Sequence, residues 1–156
     1  MCEYCGCQQI AAIGELTREH DALVAAMSIA RTQLAAGRLD EAAAACRGMV
    51  TILGPHTRVE EVGLFPELTD EFPGHVAALR AEHSQIEGVL SESQDGVPDD
   101  PTWPERLTAT FFLLREHILK EQDGMFPAAL AALDGEQWDR VDAVRRDLSR
   151  ADRLDR

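Results

Sequence analysis

The sequence predicts an all-α protein in which four long helices pack as an up-down-up-down four-helix bundle, followed by a short fifth C-terminal helix. Two observations lead to this fold class. Only 5% of the residues are aromatic, and much of the 45% hydrophobic content is Ala and Leu, which favours helix over sheet. Apolar residues also recur at helical spacing, and loops containing Gly or Pro separate the periodic segments. A chain of 156 residues is long enough for one domain with a substantial core.

Each helix is placed by its apolar stripe and by the stop signals around it. The first helix ends before Gly37, which we expect to act as a C-terminal cap, and the second begins at Asp40 as its N-cap. Residues 93–104 contain a Gly and three prolines, and they predict a loop between helices. The predicted helices cover residues 9–36, 40–68, 75–91, 104–130 and 136–150.

The charge of the chain argues against several classes of partner. The net charge is −13, so the surface repels nucleic acid and anionic lipid, and we expect neither as a partner. No apolar run reaches the roughly 18 residues that a membrane span requires. The first residues, MCEYCGCQQ, lack the basic flank and the apolar segment of a secretory signal. We therefore expect a cytoplasmic protein.

Four of the five histidines lie near the middle of an apolar stripe, one on each long helix. These are His20, His56, His83 and His117. A single histidine on an apolar face is more often a core residue than a ligand. Four buried imidazoles without a shared partner would leave several polar groups unpaired, each at a cost of about 1–3 kcal/mol. A metal centre would satisfy all of them at once.

Two glutamates strengthen the metal interpretation. Glu60 follows His56 by four residues, and Glu121 follows His117 by four, so each pair lies on one helix face. A carboxylate on a buried face is disfavoured unless it meets a proton, a cation or a metal. The spacing alone is a weak signal, because Glu87 stands at the same distance from another interior histidine.

A repeat distinguishes these two glutamates from the others. Residues 56–66 (HTRVEEVGLFP) align with residues 117–127 (HILKEQDGMFP) at a constant offset of 61, and the Glu-His pair at 19–20 returns at 82–83. The chain therefore resembles two similar helical hairpins related by an approximate two-fold axis, which predicts a symmetric site for two metals. Nitrogen and carboxylate ligands suit iron, zinc, manganese or copper.

The motif order His, His-x-x-x-Glu, His, His-x-x-x-Glu, with Phe-Pro closing each His-x-x-x-Glu helix, resembles the hemerythrin-like (HHE cation-binding) family over roughly residues 10–130. The resemblance implies a non-haem di-iron centre, in which two iron ions share an oxo or hydroxo group. It also implies that Glu60 and Glu121 bridge the irons. The histidines that complete the coordination would be His20, His56, His83 and His117.

Two positions depart from the oxygen-carrying members of that family. In the carriers an additional histidine precedes the third-helix histidine by one turn, where this chain has Leu79, and an Asp stands where this chain has Gln122. The remaining ligands leave one coordination position on each iron open, or filled by water or another side chain. We therefore expect a redox protein that reacts with hydrogen peroxide or nitric oxide, with peroxidase, catalase-like or NO-consuming activity, rather than a simple O2 carrier. The electron donor stays unassigned.

Other functions and roles compete with this hypothesis. The main alternative is a sensor or binding protein for O2, redox state or iron that works without turnover. For either function we expect a monomer or a dimer. A ferritin-like site is disfavoured, because such sites use Glu-x-x-His on two helices and no interior histidine has Glu three residues before it. No separate general acid or base is identifiable. We expect Glu61 and Glu87 to face solvent or to form ion pairs, with contact to a metal-binding histidine from outside the centre as the alternative for each. We expect His75 to lie at the surface.

Residues 1–8 are predicted to form a Cys-rich N-terminal leader before a single domain at residues 9–150. Cys2, Cys5 and Cys7 suit zinc or copper binding, a reactive disulfide or dimerisation, and a loosely packed leader is the simplest alternative. Such a leader could also bring Tyr4 or a cysteine to an open iron position. Cys46, on the second helix, is predicted to be a small core residue.

Overall fold

In a computed structural model, which describes residues 10–155, the chain folds into helices joined by short loops and contains no strand within that range. The α-helices are α1 (Ala11–Ala35), α2 (Leu39–Arg58), α3 (Phe65–Leu68), α4 (Pro73–Ser91), α5 (Trp103–Lys120), α6 (Phe126–Ala132) and α7 (Gly135–Leu154). Two π-helical segments, π1 (Val59–Leu64) and π2 (Glu121–Met125), join α2 to α3 and α5 to α6.

The four long helical rods form a bundle. Helix α1 packs against α2 and α5, and α4 packs against the same two helices, so that consecutive rods are antiparallel neighbours. Helix α7 lies outside this bundle and packs against π1 and α1. The predicted all-α bundle with a further C-terminal helix is thus confirmed. None of the described helices is both long and apolar enough to cross a membrane.

The helix boundaries follow the predicted stop signals with small shifts. Gly37 has a φ of 73° and its N–H donates to the carbonyl of Leu34, which is the left-handed cap that the sequence predicts. The prediction for Asp40 is wrong, because α2 already begins at Leu39 and Asp40 lies in its first turn. An acidic residue in the first turn still stabilises the helix, because it lies near the positive end of the helix dipole. Helices α4, α5 and α7 begin one or two residues early, and α6 and α7 extend beyond the predicted ends.

Two apolar clusters fill the interior at different heights of the bundle. One contains Leu16, Leu64, Leu79 and Met125 together with residues of α7. The other, which includes Leu23, surrounds the opposite end of the bundle. In each of the four rods, the interior His and Glu residues lie between residues of one apolar cluster and residues of the other. The rods are α1, α2 with π1, α4, and α5 with π2. The polar layer is therefore enclosed by apolar side chains on both sides.

The two π-helical segments coincide with the repeated Gly-x-Phe-Pro phrase. The N–H of Phe65 donates to the carbonyl of Glu60, and the N–H of Phe126 donates to the carbonyl of Glu121. A proline follows each phenylalanine, and inside an α-helix its ring would clash with the carbonyl four residues earlier. The wider turn relieves that clash, and such turns are frequent at functional sites.

Candidate metal centre

Six residues from the four rods meet in the polar layer. They form two groups whose ligand atoms lie within 4.8 Å of one another and suit a metal ion. The first group contains His20 and His56, and the second contains His83 and His117. Glu60 and Glu121 belong to both groups, and all six side chains are buried. The structure thus brings together the four histidines and two glutamates that the sequence named as candidate ligands.

The distances show how the two carboxylates lie between the histidines. Glu60 Oε1 lies 3.1 Å from His56 Nε2, and Glu60 Oε2 lies 3.0 Å from His83 Nε2. Glu121 Oε2 lies 3.5 Å from His20 Nε2, while its Oε1 contacts His117 Nε2. Each glutamate therefore directs one oxygen toward each half of the centre, as a bridging carboxylate would.

Several atoms that face the middle of the centre have no satisfied hydrogen bond within the described part of the chain. Both oxygens of Glu60 and of Glu121 are in this state, and so are the Nε2 atoms of three of the histidines. Buried polar atoms normally find partners, since an unpaired one costs about 1–3 kcal/mol. A concentration of such atoms at one point, all of them nitrogen or oxygen ligands, is what a metal site requires.

The buried carboxylates also change how readily the histidines hold protons. Burial alone lowers the pKa of His56, but the charge of Glu60 and the contact with Glu19 outweigh burial and raise that pKa to about 10. Burial likewise lowers the pKa of His83, yet its interactions with Glu121 and Glu60 raise it to about 11. Burial raises the pKa of Glu121, but its close contacts with Glu60 and the histidines outweigh burial and hold that pKa well below its usual range. The centre thus attracts positive charge strongly.

The comparison with protein families agrees with this geometry. A family model, described as the hemerythrin HHE cation binding domain, matches residues 11–129. The chain belongs to the hemerythrin HHE family. Neither a curated protein nor a solved structure shows significant similarity to it.

Outer carboxylates hold two of the histidines in this hemerythrin-like bundle by hydrogen bonds, and a third carboxylate lies near another histidine. Glu61 Oε1 lies 2.9 Å from Nδ1 of His83, and Glu82 Oε2 lies 2.8 Å from Nδ1 of His117. Glu19 lies 3.6 Å from Nδ1 of His56. Such contacts fix the ring orientation and direct Nε2 toward a metal.

Glu61 forms an ion pair with Arg80, as expected, and its carboxylate also holds His83, which was the alternative role considered for it. Sequence reasoning missed Glu19 and Glu82 as orienting residues. The available signal was their repetition: each glutamate directly precedes an interior histidine, and the two Glu-His pairs lie 63 residues apart. Glu82 holds the histidine of a neighbouring helix, and Glu19 lies nearest to one, rather than to the histidine beside it in sequence. Local spacing therefore does not show the relationship.

Two basic residues connect the second half of the centre to the surface. The Nζ of Lys120 donates to Glu82, and Arg80 donates to the backbone carbonyl of Glu61. Burial raises the pKa of Glu82, but its bonds with Lys120 and His117 outweigh burial and lower the pKa overall. Glu82 is therefore a charged acceptor for His117. Lys120 itself is largely exposed.

Aromatic rings enclose the centre on both sides. The ring of Phe126 stacks on His20 with centroids 5.6 Å apart, and the ring of Phe65 stacks on His83 at 5.7 Å. These phenylalanines belong to the repeated Phe-Pro phrase, so the repeat supplies both the π-turn and an apolar cover for a histidine. Apolar cover lowers the local dielectric and restricts water around a metal site.

The remaining sequence-predicted positions lie away from the ligand atoms. His75 is exposed on α4 and contacts Phe72 edge-on, which confirms its expected surface position. Leu79 is buried in the apolar cluster near α7. Cys46 is fully buried, and burial raises the pKa of its thiol to about 11, as expected for an inert core cysteine. The predictions for Cys2, Tyr4, Cys5 and Cys7 lie outside the described residues.

Proposed function

We propose that this chain is a non-haem di-iron protein that reacts with hydrogen peroxide or nitric oxide. In this proposal His20 and His56 bind one iron ion, and His83 and His117 bind the other. Glu60 and Glu121 bridge the two ions. The observation that carries the proposal is that two overlapping groups of buried ligand atoms share both carboxylates.

The choice of metal rests on the donor set and on the family. Imidazole and carboxylate donors in a bundle interior suit iron, although zinc and manganese accept the same donors. Membership in the hemerythrin HHE family favours iron. Bound iron would supply Lewis acidity and one-electron redox chemistry.

The chain itself contributes orientation and exclusion of water. Glu61 and Glu82 hold Nδ1 of His83 and His117, so that the opposite nitrogen of each ring faces the carboxylates. The apolar clusters above and below restrict bulk water at the centre. Glu82 also pairs with Lys120 at the surface, which keeps its carboxylate charged beside His117.

Reaction rather than simple O2 storage is favoured by the side chains near the ligands. Leu79, one turn before His83, is an aliphatic core residue that donates nothing to a metal. Gln122, the residue after Glu121, is a neutral amide. With only two histidines in each half of the centre, coordination positions stay available for exchangeable ligands such as peroxide.

The proposal is tested by iron content and by reactivity. Purified protein should contain about two iron ions per chain, and its diferric form should absorb as a bridged iron pair. A His56→Ala, Glu60→Ala variant should lose this iron, and full retention of iron would overturn the ligand assignment. Stopped-flow mixing of both oxidation states with peroxide, NO and O2 should show rapid consumption of peroxide or NO. Binding without consumption, together with a change in oligomeric state, would instead identify a sensor.

A further inference from the structure

The repeat gives the bundle two equivalent grooves beside the metal centre. The first groove lies between the start of α1 and π1, with Leu16 and Leu64 at its floor. The second lies between the start of α4 and π2, with Leu79 and Met125 at the corresponding positions. Each floor residue stands one helical turn from a candidate ligand. The two grooves are therefore matched approaches to the two halves of the centre.

Helix α7 closes the first groove. A Cβ on Gly63 would lie 3.4 Å from Cβ of Val144 and 3.6 Å from Cα of Val141. Val141 is fully buried, and Arg145 pairs with Glu15 of α1. The first groove is thus filled by packed side chains.

In the part of the chain that the structure describes, the second groove stays open. Among residues 10–155, and apart from its own helix and chain neighbours, Gly124, the counterpart of Gly63, has no atom within 4 Å of the position that a Cβ would occupy. A cavity of about 620 Å³ lies there. Its floor includes Leu79 and Met125, and its walls and rim include Ala78, His75, Lys120 and Asp123.

The floor of this cavity stands next to the second half of the centre along both helices. Leu79 precedes His83 by four residues and Met125 follows Glu121 by four, and both side chains are nearly fully buried. Met is unbranched and adaptable, so its side chain can move aside more easily than a branched one. Side-chain rotations of this kind would let a molecule of two heavy atoms pass.

We propose that the groove between α4 and π2 is the entrance through which a small neutral molecule, such as NO or hydrogen peroxide, reaches the side of His83 and His117. Helix α7 closes the equivalent entrance on the side of His20 and His56. The centre is thus symmetric in its ligands and asymmetric in its access. This inference rests on the proposed di-iron function.

The charges favour a neutral molecule over an anion. The chain carries a net charge of −13, which repels anions from its surface. At the rim, Lys120 is paired with Glu82, and Asp123 adds a negative charge. The floor is aliphatic, so a charged ligand would lose its hydration without gaining a partner.

A second cavity, of about 660 Å³, lies between α1 and α5 and provides the competing route. Two arginines, Arg31 and Arg115, line it. Met27, the buried residue on its α1 wall, lies seven residues after His20, which is two helical turns. Ser28 is exposed on the same wall and offers a matched site for a control substitution.

The experiment measures NO association with the reduced, iron-loaded full chain by stopped-flow absorbance. Ala78→Trp places a large ring in the α4–π2 groove from an exposed position, so folding is preserved. It should slow NO association and dissociation together by about tenfold or more, with the equilibrium affinity unchanged. Leu79→Ala should accelerate both rates, and Ser28→Trp should leave both unchanged.

Three results would contradict the proposed entrance. The first is unchanged NO association and dissociation rates in Ala78→Trp, and the second is an equal slowing of these rates in Ser28→Trp. The third is a slowing in Ala78→Trp that comes with a loss of equilibrium NO affinity. Failure of the di-iron proposal is seen separately, because the wild-type chain would then lack iron or fail to bind NO. If wild-type protein binds iron and NO and only the groove variants behave differently from expectation, the entrance alone is wrong.

Discussion

Glu82 Oε2 lies 2.8 Å from Nδ1 of His117, although the two residues belong to different helices. Lys120, which stands one turn after His117 on α5, donates to the other oxygen of Glu82. The carboxylate therefore links a surface cation to a buried imidazole. Because the same bond directs Nε2 of His117 toward Glu121, the position of Glu82 bears directly on how well the centre binds a metal.

We predict that Glu82→Ala weakens metal binding by about 10- to 100-fold, which is the usual effect of losing such an orienting partner. Glu82→Gln should have a smaller effect, since its amide oxygen still accepts a hydrogen bond from Nδ1. The dissociation constant for Fe²⁺ or Zn²⁺ can be measured by competition with a chelator.

The matched control for this prediction is Glu116→Ala. Glu116 directly precedes His117 but is exposed, so its loss removes a similar charge without touching the imidazole. Equal metal affinities in Glu82→Ala and wild-type protein would contradict the orienting role. Equal weakening in both variants would mean that only the net charge near the centre matters.

A second prediction separates the adjacent residues Glu60 and Glu61. Glu60 directs its two oxygens toward His56 and His83, so Glu60→Ala should lose metal from both halves of the centre. Glu61 contacts only the outer nitrogen of His83 among the candidate ligands, so Glu61→Ala should retain metal in both halves with weaker binding. Metal-to-protein ratios after desalting distinguish the two variants, and a greater loss in Glu61→Ala would reverse the assignment.

The sequence predicted the parts of this centre that follow from local spacing. His56 and Glu60 share a face because four residues make about one helical turn, and their echo at His117 and Glu121 identified the second half. The boundaries of the rods were also predictable, because Gly37 and the Pro-rich loop end helices by their own backbone chemistry. Each of these properties belongs to a short stretch of chain.

The properties that escaped prediction depend on contacts between distant segments. Apolar residues that recur about every 3.6 positions do not distinguish an α-helical turn from the wider π-helical turn. In the two π-helical turns the carbonyls of Glu60 and Glu121 accept the backbone hydrogen bonds. Glu82 acts on a histidine of another helix. The closure of one groove by α7 depends on Val144 meeting Gly63, and no local pattern specifies that meeting.

A third prediction compares Gly63 with Gly124. Gly63→Leu should lower the free energy of unfolding by about 1–3 kcal/mol, because its side chain would overpack against Val144 and Val141. Gly124→Leu should leave that free energy unchanged or raise it by up to about 1 kcal/mol, since Leu favours helix over Gly and the space there is open. Urea unfolding followed by circular dichroism measures both. Equal destabilisation would mean that α7 does not press on the first groove.

A fourth prediction concerns how acid affects the packing of α7. Arg140 of α7 pairs with Glu67, with Nε 2.6 Å from Oε1, and this bond lowers the pKa of Glu67 below its ordinary value of 4.5. A carboxyl with a lowered pKa in the folded state adds stability above its unfolded pKa, and that stability is lost as the pH falls through the folded pKa. We therefore expect Arg140→Gln to reduce the free energy of unfolding at pH 7. The difference in that free energy from wild-type protein should disappear at pH values below the range in which glutamate side chains ordinarily titrate. Arg150→Gln, at an exposed position of α7, is the control. A difference that stays constant from pH 7 into the acidic range would show that Arg140 acts through its aliphatic packing rather than through the charge of Glu67.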